Sequence, residues 1–178
     1  MSDIKNYRTD YEKHVLNRKD LHENPIQLFD AWLQDAMNTI EKDANAFTLS
    51  TIDVNSFPSS RVLLLKEVSN DGFVFFTNYN SHKGKEMEVN PKVALNFFWP
   101  SLERQVRIQG EVKKLTKEES DAYFKSRPYK SQIAAWASEQ SSVLKSRSSL
   151  EERYSLFSKK YPEHVPRPTH WGGFLVKP

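Results

Sequence analysis

The chain has no cysteine among its 178 residues. That absence excludes a disulfide framework, thiolate catalysis, and zinc or iron–sulfur centres held by cysteine. No apolar run approaches the roughly 20 residues that a membrane-spanning helix needs, and the polar N-terminus lacks the pattern of a signal peptide. Charge of one sign is scarce too. Against 26 Lys and Arg stand 23 Asp and Glu, a net charge of +3, with the bases dispersed among acids rather than gathered in tracts. Bulk electrostatics therefore give little support for nucleic acid as a partner. There is no glycine-rich phosphate loop, no His-Glu-x-x-His and no Gly-x-Ser-x-Gly. The five histidines, His14, His22, His82, His164 and His170, have no metal-ligand spacing, so no metal is expected. These absences point to a cytoplasmic protein whose catalysis would borrow its reactive group from an organic cofactor.

What is present is aromatic and strand-like. Eleven Phe and four Trp argue for a folded core, and the length suits one domain. Residues 1–23 are polar and read as a mobile or edge-covering arm, with 24–178 as a single domain. Asn24 can cap a helix with Pro25 in its first turn, its buried face made by Phe29, Leu33, Ala36 and Ile40 and widened by Trp32 and Met37. From Ala46 the period changes, and 47–52, 60–68, 73–78, 93–99, 105–115 and 171–176 read as strands. Turn signals separate them, among them Asn55-Ser56-Phe57-Pro58 and Asn70-Asp71-Gly72. Short connections without alternating helices predict a mainly β chain with flanking helices, an antiparallel barrel or sandwich. Residues 81–90 read as a short helix capped by Ser81; Thr116 with Glu119, and Ser149 with Glu152, read as capping boxes.

Two strand-like runs carry cations: Arg61-Val62-Leu63-Leu64-Leu65-Lys66 and Glu103-Arg104-Gln105-Val106-Arg107. A cation tied to a rigid sheet costs solvation unless an anion offsets it. Side chains snorkelling from strand ends explain either run alone. Two runs with His82 and Lys83 between them favour an anionic ligand. Lys83 in a first helical turn works against the dipole unless an anion lies there, and a phosphate monoester suits Arg, Lys and helix amides together. Arg61 and Lys66 have opposite parity, so a regular strand aims them at opposite faces. They reach one ligand only from a bulge or strand end, or they serve two groups. Tyr123, Arg127 and Ser131 form a second polar cluster, the first two four residues apart on one helical face; it reads as a second anion site or as a solvated face.

Many separated motifs then agree with one family in order and spacing. They are 61–66, Phe76-Thr77-Asn78, Ser81-x-Lys83, Asn90-Pro91, 102–106, Tyr123-Phe124-x-Ser126-Arg127-Pro128, Ser131-Gln132-Ile133, Trp136, Gln140-Ser141-Ser142 and Trp171-Gly172-Gly173-Phe174. Over roughly residues 20–178 the chain resembles the pyridoxamine 5′-phosphate oxidases, FMN enzymes of vitamin B6 metabolism. The resemblance implies an antiparallel Greek-key split β-barrel, a homodimer with FMN at its interface, and oxidation of pyridoxamine or pyridoxine 5′-phosphate by O₂. By matched position it implies that Arg61, Val62, Leu63, Leu64, Leu65, Lys66, Phe76, Thr77, His82, Lys83, Gln105, Gln140 and Ser141 contact FMN. It implies that Lys66, Tyr123, Arg127 and Ser131 hold the substrate phosphate. The family usually has Arg where His82 stands. Its pattern also continues past the last strand with a Trp, an Arg-Leu-His element and a further Arg, which the 178 residues do not include; turnover is expected to depend on that segment more than folding does. The rival readings are a related split-barrel flavoprotein (a phenazine-type oxidase or flavin reductase), a non-enzymatic binder of FMN or pyridoxal phosphate, and, more distantly, a nucleic-acid-binding barrel. Trp99, Trp136, Trp171 and the patch 133–135 are expected to exceed what the early helix covers, which suggests a dimer interface above about 2,000 Å².

Overall fold

Alternating apolar residues from position 46 onward build seven strands: β1 Ala46–Ile52, β2 Pro58–Leu64, β3 Glu67–Ser69, β4 Gly72–Asn78, β5 Lys92–Trp99, β6 Arg104–Lys114 and β7 Trp171–Lys177. The structure is a computed structural model and describes residues 4–8, 10–13, 15–39 and 42–178, so Ile40 and His14 lie outside the described residues. All strand pairs are antiparallel and form one curled sheet in the order β2-β1-β5-β6-β7-β4-β3, a split barrel. Among the described residues five α-helices accompany it: α1 Pro25–Asn38, α2 His82–Val89, α3 Lys117–Ser126, α4 Tyr129–Ala137 and α5 Arg147–Lys160.

The two edges of the sheet, β2 and β3, are neighbours in sequence. Only Leu65 and Lys66 separate them, so the expected strand at 60–68 is broken in two. Each linking residue is bonded to a different half: Leu65 N donates to Asn45 O at 2.8 Å, next to β1, and Lys66 N to Val74 O of β4 at 2.8 Å. The break has a tertiary cause, a change of partner strand, which apolar residues on both sides conceal.

The core is aromatic. Phe47 and Leu49 of β1, Phe75 of β4, Leu95, Phe97 and Trp99 of β5, and Val176 of β7 are almost completely buried. Helix α1 closes this core with Phe29, Leu33 and Ala36, and Phe29 meets Phe73 edge-on with centroids 4.9 Å apart. Asn24 caps α1 by accepting from Ile26 N at 2.9 Å. Trp32 packs against the core as expected, whereas Met37 is exposed. A smaller cluster of Phe124, Ile133, Val165 and Trp171 is buried where α3 and α4 pack beside β7. Trp99, Trp171 and Ile133 are thus covered by their own chain, which overturns their assignment to a partner-facing surface. Exposed apolar residues lie elsewhere, with Val62 and Leu64 of β2 and Phe98 of β5 on the outward face.

The caps at Ser81 and at Thr116 with Glu119 form as expected. Helix α5 starts earlier than the expected Ser149 with Glu152: Ser146 caps it, accepting from Ser149 N at 3.1 Å. Ser149 fills the third position of the box in place of a Glu or Gln, its Oγ accepting from Ser146 N at 3.4 Å. The arm preceding α1 crosses the turn before β6, where Lys13 N donates to Glu103 Oε2 and Lys13 Nζ to Ser101 O.

Candidate active site

Helix α2 rests directly on the end of β4 because residue 84 is glycine; a Cβ there would lie 2.1 Å from Tyr79 O. This close approach buries Lys83 at 5 % exposure, with Nζ donating to Thr77 Oγ1 at 3.4 Å and to Ser81 Oγ at 3.3 Å. Burial first, and then the charge of Arg61, pull the Lys83 ammonium down to about 8. A group depressed in this way costs stability while it is charged. Ligand-free protein should therefore gain stability as pH rises from about 8 towards the unfolded-state value. Lys83→Met should abolish that slope in denaturant titrations at stepped pH; a slope that survives the substitution must come from other groups.

Arg61 is on the inward face of β2 with Ser59 and Leu63. Its Nη2 donates to Ser59 Oγ at 2.6 Å and to Glu86 Oε2 of α2 at 3.0 Å, and its Nη1 to Thr51 Oγ1 and, at 3.5 Å, to Leu49 O. Burial pushes the Glu86 carboxyl up, but hydrogen bonds from Thr51 and Ser59 and the Arg61 charge outweigh it and hold the carboxyl below the usual range. Glu86, Thr51 and Ser59 escaped the sequence reading; the only signal for them was that Ser59 and Arg61 share parity on one strand.

The split between the sheet's edges opens into a cavity of about 540 Å³. One wall is Val62, Leu63, Leu64 and Lys66; another is Phe76, Thr77 and Asn78; the third brings Tyr123 from α3, Arg127, Ser131 from α4, Gln140 and Trp171. Arg127 is the extended C-cap of α3 rather than a helical residue, and Gln132 Nε2 fixes the elbow by donating to Arg127 O at 2.8 Å. Its Nη1 is the one buried side-chain polar atom without a hydrogen-bond partner among the described residues. Its Cζ lies 4.3 Å from the centroid of the Trp171 ring. Burial lowers the guanidinium from its ordinary value, partly opposed by Tyr123, and burial raises the Tyr123 hydroxyl. Phe76 and Tyr123 stack at 3.8 Å.

The strand break resolves the parity conflict. Arg61 faces Glu86, and Lys66, beyond the strand end, faces the cavity. Thr77 Oγ1 donates to Gln140 Oε1 at 3.4 Å. Ser141 is exposed with φ 68°, and His82 is exposed at the start of α2. Leu65 is buried in the link. Gln105 is not brought to the cavity: it lies on the outward face of β6, separated from β2 by two strands, donating to Asn96 Oδ1 at 2.9 Å. Trp171 lines the cavity instead of the partner-facing surface expected for it; its place in the Trp-Gly-Gly-Phe motif is the signal for this. Among the described residues no acidic or histidine cluster could hold a metal ion, and no helix is long and apolar enough to cross a membrane.

The family profile described as pyridoxamine 5′-phosphate oxidase matches residues 33–158. A pyridoxine/pyridoxamine 5′-phosphate oxidase of Actinobacillus pleuropneumoniae serotype 5b is 50% identical over 176 residues, 99% of this chain and 84% of that protein. The chain belongs to the pyridoxamine 5′-phosphate oxidase family. The correspondingly named protein of Haemophilus influenzae Rd is 51% identical over the same shares. Among solved structures, PhzG from Burkholderia lata 383, in complex with tetrahydrophenazine-1-carboxylic acid, superposes with a TM-score of 0.86 at 25% identity, covering 92% of this chain and 82% of that one. A pyridoxamine 5′-phosphate oxidase-related, FMN-binding protein from Nostoc punctiforme shares the fold, with a TM-score of 0.69 at 15% identity over 89% and 83% of the two chains. Membership makes the protein an oxidoreductase of this family, with the split of the barrel as its candidate active site.

Proposed function

We propose that the protein is an FMN-dependent oxidase that converts pyridoxamine or pyridoxine 5′-phosphate to pyridoxal 5′-phosphate with O₂ as acceptor. The observation that carries this reading is the buried, unpartnered Nη1 of Arg127 inside the cavity. A buried cation without an acceptor is costly, and a substrate phosphate would supply the missing one. Lys66 adds a point charge, Ser131 and Tyr123 add hydroxyls, and the stacked Phe76 and Tyr123 rings add an aromatic wall. The residues also fit a second phosphate, that of FMN: Lys83 is a buried ammonium bonded to two hydroxyls at 3.3–3.4 Å, near the N-terminus of α2. When bound, FMN supplies the two-electron sink for the substrate's C4′ and passes those electrons to O₂. The chain's own task is to hold the substrate phosphate so that the pyridine ring reaches along the aromatic wall, and to keep solvent from the reacting face.

Val62, Leu64 and Phe98 expose apolar area on the outward face that also carries Gln105. A second copy covering this face would complete the flavin site with a residue that one chain leaves distant, which is how a homodimer and Gln105 both enter the proposal. The small-molecule reading leaves no role for nucleic acid, residues 24–178 act as one domain with 1–23 as its arm, and a cytoplasmic setting suits the substrate.

One preparation tests the proposal. Sedimentation followed at flavin absorbance should show a yellow dimer, and the same sample should form pyridoxal 5′-phosphate and hydrogen peroxide from pyridoxamine 5′-phosphate. A colourless monomer that forms neither would sink the reading. Turnover of a reduced phenazine carboxylic acid in place of the phosphorylated substrate would favour the PhzG-like alternative.

A further inference from the structure

We propose that Trp171 is a positioning residue for Arg127: its indole face holds the guanidinium over the cavity without neutralising it, so that the cation is kept for the substrate's phosphate. This rests on the reading that Arg127 receives that phosphate. The contrast with Arg61 shows why an aromatic support matters. Four bonds from Arg61 go to Glu86, Ser59, Thr51 and Leu49 O, and its charge is met by a carboxylate. Arg127 lies instead with Cζ 4.3 Å from the Trp171 centroid and 5.6 Å from that of Phe124, and its Nη1 is left without an acceptor. A ring attracts the flat face of a guanidinium through its quadrupole, while the N–H donors lie in the plane and point outward. A carboxylate in that place would cap the donors and repel a phosphate; the indole does neither.

The ring is itself held rigidly. Trp171 is the first residue of β7, paired with Asn78, and its backbone N donates to Pro168 O at 3.1 Å. Its carbonyl accepts from Arg167 Nη1, and Arg167 Nε donates to Asp121 of α3, so the start of β7 is tied to the helix that ends at Arg127. The indole is nearly parallel to Phe76 at 5.6 Å and to Tyr123 at 6.2 Å, and Phe124 abuts it at 5.2 Å. Only 8 % of the residue is exposed. Rigidity in the support is what fixes the direction of the unpaired donor.

The test is a double-mutant cycle on the flavin-loaded enzyme, titrated calorimetrically with 4-deoxypyridoxine 5′-phosphate, which has no oxidisable group at C4′, and with 4-deoxypyridoxine. Trp171→Leu should weaken the phosphorylated ligand about tenfold in the parent and less than about twofold in an Arg127→Ala background, and leave the phosphate-free ligand unchanged. Trp171→Phe, which keeps a smaller ring, should cost about threefold in the parent and nothing in the Arg127→Ala background; it carries the cycle alone should the Leu variant not fold. Equal losses in both backgrounds, or equal losses for both ligands, would show that Trp171 only packs and would overturn the inference. An Arg127→Ala protein that binds the phosphorylated ligand as tightly as the parent would instead overturn the phosphate assignment itself.

Discussion

Arg127→Ala is expected to raise KM for the phosphorylated substrate by a factor equivalent to about 1.5–3 kcal/mol, the loss of a charged hydrogen bond, with flavin retained. The larger end applies because the guanidinium is partly desolvated before the ligand arrives. The same substitution should not destabilise the ligand-free protein much, and can raise its stability, since it deletes a buried donor that has no partner. Steady-state kinetics and denaturant unfolding on one preparation check both halves. A variant that purifies without flavin, or with KM unchanged, contradicts the assignment of Arg127 to the substrate side of the cavity.

Arg61→Ala should behave in the opposite way, as a fold variant first. It strips the cation from Glu86, whose side chain is only 12% exposed and keeps just the bonds from Thr51 and Ser59, and losing the charged hydrogen bond costs about 1.5–3 kcal/mol. In the parent the depressed Glu86 contributes stability above its unfolded-state value and loses it as pH falls; in the variant the bonds from Thr51 and Ser59 remain but the Arg61 charge is gone, so the carboxyl is depressed less and contributes less. The gap between the two proteins should therefore be widest near neutrality and narrow on acidification. Arg61→Ala/Glu86→Ala should recover much of the loss, and the flavin content of that double variant then reports whether Arg61 also binds the cofactor. Equal unfolding midpoints for parent and Arg61→Ala at neutral pH would refute the role given to the ion pair.

Much of this was legible in the sequence wherever the determinant is local. Asn24, Ser81 and Thr116 cap helices through bonds to donors two or three residues away, and the strand-like runs 47–52, 73–78 and 93–99 fall within β1, β4 and β5. What was hidden depends on distant partners. Nothing near Arg61 announces Glu86, 25 positions on, and nothing in 60–68 announces that the chain leaves one sheet edge for the other. Trp171 and Ile133 looked like surface for a second subunit because the fold-back of α3 and α4 onto β7 has no local mark. The cations were read as one or two ligand clusters; of the two arginines, one is satisfied within the protein and the other is left open.

The Leu65–Lys66 link has a further consequence, for how such a chain can change length over evolutionary time. Each of its two residues is bonded to a different half of the sheet, so an insertion or deletion there either orphans a backbone donor or carries Lys66 out of the cavity. The turn between β1 and β2 carries no such burden: it is exposed, is organised around the Asp53 carboxylate, and places no residue in the split. Tolerated indels should thus fall in turns of that kind, while the spacing between the strand of Arg61 and the strand of Phe76 stays fixed even where the residues themselves drift.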